Sequence, residues 1–404
     1  AITTTVYFAY VLCQFVSADL GCSLLTNVLI TCRLHLYYLI TGKLINFKMN
    51  MGSSIRLNKG GVVGLFLIGV FIFVIYRSTG PASVLLPSEM RDGTSSDTDI
   101  ISLKELLSAA IDAAGRGGNE VRRVREEATL QQKSKGETKE GVNDPVTNGD
   151  LLSHNVMYYS LHKSFPTLEI ISEEHDTLKD TSYIAPANIR DLEVEKLMII
   201  DKIVFVKDVR VWIDPLDATK EYTENLIQYV TTMVGIAVQG IPTIGVVHRP
   251  FSNVTHWGWL DNAVSPDLQV IKQSGLSLLP SPTVSPRLIV SISHQGTVKD
   301  VATHAFGPDT TIIAAAGAGY KIMEVITGAA DAYVHTTAIK KWDLCAGHAI
   351  LSAMGGTLTT LRNDAAASIE ITYEDRNKYK NEAGLLATMK NHEFYLDRLQ
   401  ALKN

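Results

Sequence analysis

The chain has 404 residues, 46% hydrophobic and 20% charged, which supplies ample apolar surface for a core and excludes a mostly disordered protein. Its 37 basic and 42 acidic residues leave a net charge of −5. Residues 1–80 hold six of the bases and one acid, so the remainder carries 31 against 41, or −10, and an acidic body argues against nucleic acid as a partner.

Residues 1–59 form a leader of uncertain status, placed on the cytosolic side. Gly60–Tyr76 (GGVVGLFLIGVFIFVIY) is uncharged and reaches the lower limit for a membrane-spanning helix. Lys43, Lys48, Arg56 and Lys59 precede it, which favours a signal anchor over 60–77 with the body lumenal. Residues 78–99, rich in Ser, Thr, Pro, Gly and Asp, read as a stalk. Cys13, Cys22 and Cys32 lie in the leader and Cys345 is alone in the body, so the body has neither a disulfide framework nor a CxxC metal pair.

The body opens with a helix at Ser102, where Ser102 and Glu105 have capping-box spacing ahead of the apolar face Leu103, Leu106, Leu107, Ala110, Ile111 and Ala114. Residues 129–150 are polar and read as a loop, and Leu151–Ser164 as a second helix. A short strand, Glu169–Ser172, ends at Glu173-Glu174. An irregular charged insert over 175–208 leads to the strand Val209–Ile213. Val230–Val238, Thr243–His248 and His256–Leu260 predict an antiparallel meander. Pro280, Pro282 and Pro286 mark a boundary. Beyond it strands (Leu288–Ser291, Thr311–Ala314, Ala332–Thr336) alternate with helices (Thr297–Ala305, Tyr320–Thr327, Asp343–Met354), the last stopped by Gly355-Gly356. The expected architecture is α/β in two lobes, an α+β lobe over 100–285 and an α/β lobe over 286–404.

Acids gather at the ends of these elements. Glu173 and Glu174 close one strand, Asp214-Pro215-Leu216-Asp217-Ala218-Thr219 follows another, and Asp343 opens a helix. Strand ends are where open α/β sheets place their sites. Each acid has an ordinary alternative: a solvated pair, a plain turn, a helix cap. Together, with Pro215 stiffening the turn between two carboxylates, they form a set of hard oxygen donors that suits Mg²⁺ rather than zinc. Gly317-Ala318-Gly319-Tyr320-Lys321 enters a helix and reads either as a plain helix-start turn or as a phosphate cradle made by backbone N–H groups and the Lys321 ammonium. Lys340 and Lys341 add positive charge beside Asp343.

SEEH (172–175), WIDPLDAT (212–219) and WDLCAGHAIL (342–351), in this order, resemble the inositol monophosphatase superfamily of Mg²⁺-dependent, lithium-sensitive phosphatases. The resemblance spans roughly 100–404. EVRRVRE (120–126), KSKGETKEG (133–141), WIDPLDATKEYTE (212–224), YVTTMV (229–234), GAGYK (317–321) and IKKWDLCAG (339–347) are similar to its membrane-anchored Golgi branch. Ala218 departs from the broad superfamily, which has Gly there, and agrees with that branch.

The resemblance implies a layered αβαβα sandwich and two or three Mg²⁺ ions. Glu173, Asp214 and the Leu216 carbonyl would hold one ion, and Asp214, Asp217 and Asp343 a second. Thr219 would orient the attacking water with Asp150 behind it. Ser291 and His294 would reach a nucleotide, and Gly317 and Lys321 its other phosphate. The implied substrate is a small phosphorylated nucleotide, 3′-phosphoadenosine 5′-phosphate, hydrolysed at a Golgi membrane by a single-pass type II protein. The rivals are an inositol phosphate phosphatase on the same centre and a non-catalytic anchored scaffold. Asn253-Val254-Thr255 is a glycosylation sequon, of use only to a lumenal body.

Overall fold

The computed structural model describes residues 99–137, 143–175, 178–197, 200–274, 285–292, 295–361 and 370–401. The leader, the expected anchor and most of the stalk lie outside these residues. Among the described residues no helix is long and apolar enough to cross a membrane. The expected lobe boundary, between residues 285 and 286, directly follows the stretch 275–284, which also lies outside them.

Residues 93–404 form one unit, built as five alternating layers. Helices α1 (Leu103–Glu126) and α2 (Asn148–Ser164) make the first layer. Ser102 caps α1 by accepting from the Glu105 N–H at 3.0 Å, and Leu103, Leu106, Leu107, Ala110 and Ala114 form its buried stripe. The stripe packs on a six-stranded sheet ordered β10-β9-β8-β7-β6-β4. Its strands are β4 (Glu169–Ser172), β6 (Val209–Asp217), β7 (Thr231–Val238), β8 (Ile241–Arg249), β9 (Val254–Trp259) and β10 (Ala263–Val264).

Helices α7 (Ala318–Ile326) and α8 (Cys345–Ala353) fill the middle layer. A five-stranded sheet follows, ordered β12-β11-β13-β17-β15: β11 (Arg287–Ser291), β12 (Thr311–Ala315), β13 (Ala332–His335), β15 (Thr357–Thr359) and β17 (Leu385–Thr388). Helices α6 (Gln295–Phe306) and α9 (His392–Gln400) cover its far face. Strand alternation sorts the cores. Val234, Ile236, Ile244 and Val246 face α1 and α2, while Met233, Ala237 and Val247 face the middle helices.

Smaller pieces complete the unit: the ribbons β1 (Ile100–Ser102) with β5 (Ile203–Phe205), β2 (Lys133–Glu137) with β3 (Asn143–Val146), and β14 (Ile339–Lys340) with β16 (Lys380–Asn381), and the short helices α3 (Leu192–Leu197), α4 (Thr219–Thr223) and α5 (Pro266–Gln273). The stretch 129–150 is therefore a β-ribbon and a helix start rather than a loop. Thr147 caps α2 in a capping box with Asp150, which moves its start ahead of Leu151.

Two features of the first sheet position the site. Strands β4 and β6 run parallel, with Ser172 opposite Ile213, so their C-terminal ends emerge side by side. The Glu173 N–H donates to the Ile213 carbonyl at 3.1 Å, which puts Glu173 beside Asp214. The second feature is a row of glycines. Gly235, Gly245 and Gly258 are cross-strand neighbours on β7, β8 and β9, and α8 lies along them. A Cβ at Gly245 would stand 1.9 Å from the Ala346 carbonyl oxygen, and one at Gly235 2.5 Å from the Cys345 Cβ. The helix backbone thus rests on the sheet, with Asp343 just ahead of its first turn.

Substituting Gly245→Ala has no side-chain remedy, because the obstructing atom is backbone. It should destabilise the fold by roughly 1–3 kcal/mol, the usual range for overpacking. Urea unfolding measures this, and a wild-type midpoint would show that α8 can lift from the sheet at no cost.

Candidate active site

Among the described residues, one group of acids could hold a metal ion: Glu173, Asp214 and Asp343, with one oxygen from each lying within 4.8 Å of the others. Asp214 is buried and the other two are partly exposed. Three distant segments meet here: the end of β4, the bulged end of β6 and the entry to α8. The β6–β7 register breaks between Asp214 and Asp217, where Pro215 has no N–H to give the ladder. The Leu216 N–H turns back to Asp214 Oδ1 at 3.1 Å, and Ser153 on α2 holds the Pro215 carbonyl at 2.7 Å.

Asp217 stands apart from the cluster. Its Oδ2 accepts from the Gly319 N–H at 2.8 Å and from the Thr231 hydroxyl at 3.3 Å. The first turn of α7 therefore caps a carboxylate, a favourable match of helix dipole and anion. The N–H groups read from the sequence as a phosphate cradle are committed at least in part to Asp217. Gly317, at φ 68°, leaves no room there: a Cβ would meet the Tyr229 carbonyl at 2.7 Å. Lys321 is buried beneath the turn. Its ammonium donates to the Gly317 carbonyl at 2.6 Å and lies over the Tyr333 ring at 5.2 Å.

Asp150 and Thr219 are brought together as a pair. The Thr219 hydroxyl lies 2.9 Å from Asp150 Oδ1 and 3.1 Å from the Leu216 carbonyl, so the expected ligand Leu216 sits against the expected water-orienting group. The Thr147 N–H and hydroxyl hold the other Asp150 oxygen at 2.7 and 2.6 Å. Ser291 ends β11 and is partly exposed. His294 lies outside the described residues.

Two cations meet on Glu173: Lys340, expected from sequence only as positive charge beside Asp343, and Lys135, which had no expected role. Lys135, on β2, reaches Glu173 Oε1 at 3.2 Å and also pairs with Glu174. Lys340, on β14, reaches the same Oε1 at 3.1 Å. Lys135 sits in a polar stretch with no apolar periodicity, so nothing local marked it as a strand residue aimed at the site. Thr147 was legible in principle, since Thr147 and Asp150 have capping-box spacing.

The electrostatics follow the geometry. Burial raises the pKa of Asp214 well above its usual range, and the charges of Glu173, Asp217 and Asp343 push the same way. Burial, then the Glu173 charge, takes Asp343 to about 8. Burial also works to raise Glu173, but Lys340 and Lys135 outweigh it and hold that carboxyl low. Asp150 rises to about 7 through burial, against the Thr147 and Thr219 hydrogen bonds. Crowded, mutually repelling carboxylates with hard oxygens are the donor set a divalent cation such as Mg²⁺ fits.

The fold is a layered α/β sandwich, and its site is a cluster of carboxylates that could hold a divalent cation. The inositol monophosphatase family model matches residues 102–402, and the chain belongs to that family of phosphoric monoester hydrolases. Among curated relatives, the Golgi-resident adenosine 3′,5′-bisphosphate 3′-phosphatase of Mus musculus is 42% identical over 364 residues, 87% of this chain and 98% of the mouse protein. Its Homo sapiens namesake is 44% identical over 314 residues, 76% and 83% of the two chains. Inositol monophosphatase 3 of Danio rerio is 41% identical over 354 residues, 86% and 96%.

Asp150 yields a two-sided prediction. Its folded pKa, about 7, is raised above the ordinary carboxylate value, so its contribution to stability is full below the unfolded pKa and is lost as pH rises through about 7. Asp150→Asn removes that loss. The variant should melt at or above the wild-type temperature at pH 8, yet lose about 10²–10⁴ in turnover if Asp150 is the base behind Thr219. Parallel melting curves and rates across pH 5–9 check both halves.

Proposed function

We propose that this protein is a Mg²⁺-dependent 3′-phosphatase that hydrolyses 3′-phosphoadenosine 5′-phosphate to AMP and phosphate. The observation that carries the reading is the Glu173–Asp214–Asp343 cluster with the Thr219–Asp150 pair beside it. The names of the mouse and human relatives support the substrate.

Glu173, Asp214, Asp343 and the Leu216 carbonyl would hold the ions, two or three in number, with Asp217 completing the second site. Bound divalent cations offset phosphate charge and make water a better nucleophile. The chain supplies the rest. The Thr219 hydroxyl, tied to Asp150, accepts a hydrogen bond from the attacking water and fixes its approach. Asp150 draws the Thr219 proton and so takes up the proton the water gives away. Thr147 locks the Asp150 carboxylate in that orientation.

Choice of substrate rests on groups away from the cleaved phosphate. Ser291 and His294 are assigned to the nucleoside, and Gly317 and Lys321 to the second phosphate. An ammonium has three donors, and the hydrogen bond to Gly317 uses one of them. The competing reading, hydrolysis of an inositol phosphate, has the name of the Danio rerio relative in its favour and uses the same centre.

Phosphate release from 3′-phosphoadenosine 5′-phosphate, adenosine 3′-monophosphate and inositol 1-phosphate, with and without Mg²⁺, separates the readings. The bisphosphate should be used best and only with Mg²⁺; preference for the inositol ester would reverse the assignment. Lys321→Ala should weaken use of the bisphosphate about tenfold to a hundredfold, the worth of one charged hydrogen bond, and leave the 3′-monophosphate nearly unchanged.

We further propose a Golgi membrane protein with one anchor over 60–77 and a lumenal body. Asn253 lies in an exposed turn between β8 and β9, open to a glycan. The protein should resist extraction by alkaline carbonate, and its body should be protected from protease in sealed microsomes. Digestion of the body in intact vesicles would show the opposite orientation.

A further inference from the structure

Lys340 is the one described residue that touches two of the three clustered carboxylates through different atoms. Its backbone N–H donates to Asp343 Oδ2 at 3.2 Å, and its ammonium donates to Glu173 Oε1 at 3.1 Å. The residue is held on every side. The β14–β16 pairing sets Lys340 opposite Lys380. The ammonium lies over the Trp342 ring at 5.5 Å, and that ring stacks on Tyr379 with centroids 5.1 Å apart and planes 7° from parallel. The Lys341 N–H ties the same segment to the Tyr379 carbonyl at 2.7 Å. A long, flexible side chain is thus given a fixed stem, an aromatic rest and a carboxylate that is also a candidate metal ligand.

We propose that Lys340 is a positioning residue of the metal centre: a built-in counter-ion that competes with the divalent cation for Glu173 and, once displaced, turns its charge to the phosphate group. The proposal rests on the acidic cluster being a metal centre. The argument is one of Coulomb sign. A positive charge a few ångströms from a cation site weakens cation binding, and the same charge strengthens binding of an anion beside it. The ammonium already lies over the indole face while it bonds Glu173, so leaving that carboxylate does not strand it without favourable contact. The backbone contact to Asp343 survives any side-chain substitution, so the charge can be tested apart from the local fold.

The test uses the full chain in detergent, with Mn²⁺ alone as the probe by titration calorimetry and inorganic phosphate as a competitive inhibitor of turnover. Lys340→Met should bind Mn²⁺ about twofold to fivefold more tightly, the scale of a partly exposed ion pair, and should be inhibited by phosphate less well by a similar factor. Lys340→Arg should restore both values to the wild-type range. A merely structural role would weaken both together. Unchanged or weaker Mn²⁺ binding in Lys340→Met, or phosphate inhibition that does not weaken, overturns the proposal. Should Lys340→Met melt early, Lys340→Gln carries the same two expectations. Wild-type protein that takes up no Mn²⁺ would instead overturn the metal centre itself, and the proposal with it.

Discussion

The structure depends on a close approach of backbone to backbone. Gly235, Gly245 and Gly258 form a strip without side chains across three strands, and α8 lies on it. An ordinary residue at Gly245 would place its Cβ inside the Ala346 carbonyl. With a normal side chain there, the helix would ride higher, as facing helices and sheets usually do. Asp343 would rise with it, away from Glu173 and Asp214, which belong to the sheet. The oxygen spacing of the cluster is therefore set partly by what the sheet lacks.

Bringing carboxylates together is electrostatically unfavourable, and the fold answers it piece by piece. Asp217 is met by the first turn of α7 and by Thr231. Asp150 is met by Thr147 and Thr219. Glu173 is met by two lysines. Asp214 receives least: one N–H from Leu216 within its own turn. Burial raises its pKa well above the usual range, and three neighbouring acids push the same way. Positive charge brought to such a group of carboxylates relieves their repulsion. Such a site costs stability, which the apolar cores on either side of the two sheets supply.

Much of this was legible in the chain because acids at strand ends are local signals. WIDPLDAT carries its own strand, bulge and turn, and the parallel β4–β6 pair needed only Glu173 to follow a strand. The αβαβα layering was implied by the family resemblance and not by periodicity. What stayed hidden was long-range. The ribbon β2–β3 is polar and has no alternation to read. Strands β15, β16 and β17 are short, and β17 sits between β13 and β15 far from its neighbours in sequence. Lys135 and Lys340 reach one carboxylate oxygen from residues 38 and 167 positions away, a meeting no local pattern records. Nor does anything in GAGYK itself mark that the Gly319 N–H meets a carboxylate of the same chain.

Ala218 shows how firmly the site's turn is imposed. It has φ 69° and ψ 46°, a left-handed conformation that disfavours a residue with a Cβ by roughly 1–2 kcal/mol. Glycine would adopt it freely, and the broader superfamily has glycine there. The conformation persists with alanine because both neighbours are fixed from outside the turn: Asp217 by Gly319 and Thr231, Thr219 by Asp150. Those contacts arrive from α7, β7 and α2, three elements that do not depend on residue 218. Alanine at 218 therefore raises the cost of the turn, and these contacts offset it. Asp217 and Thr219 still face different partners across it, one the first turn of α7 and the other Asp150.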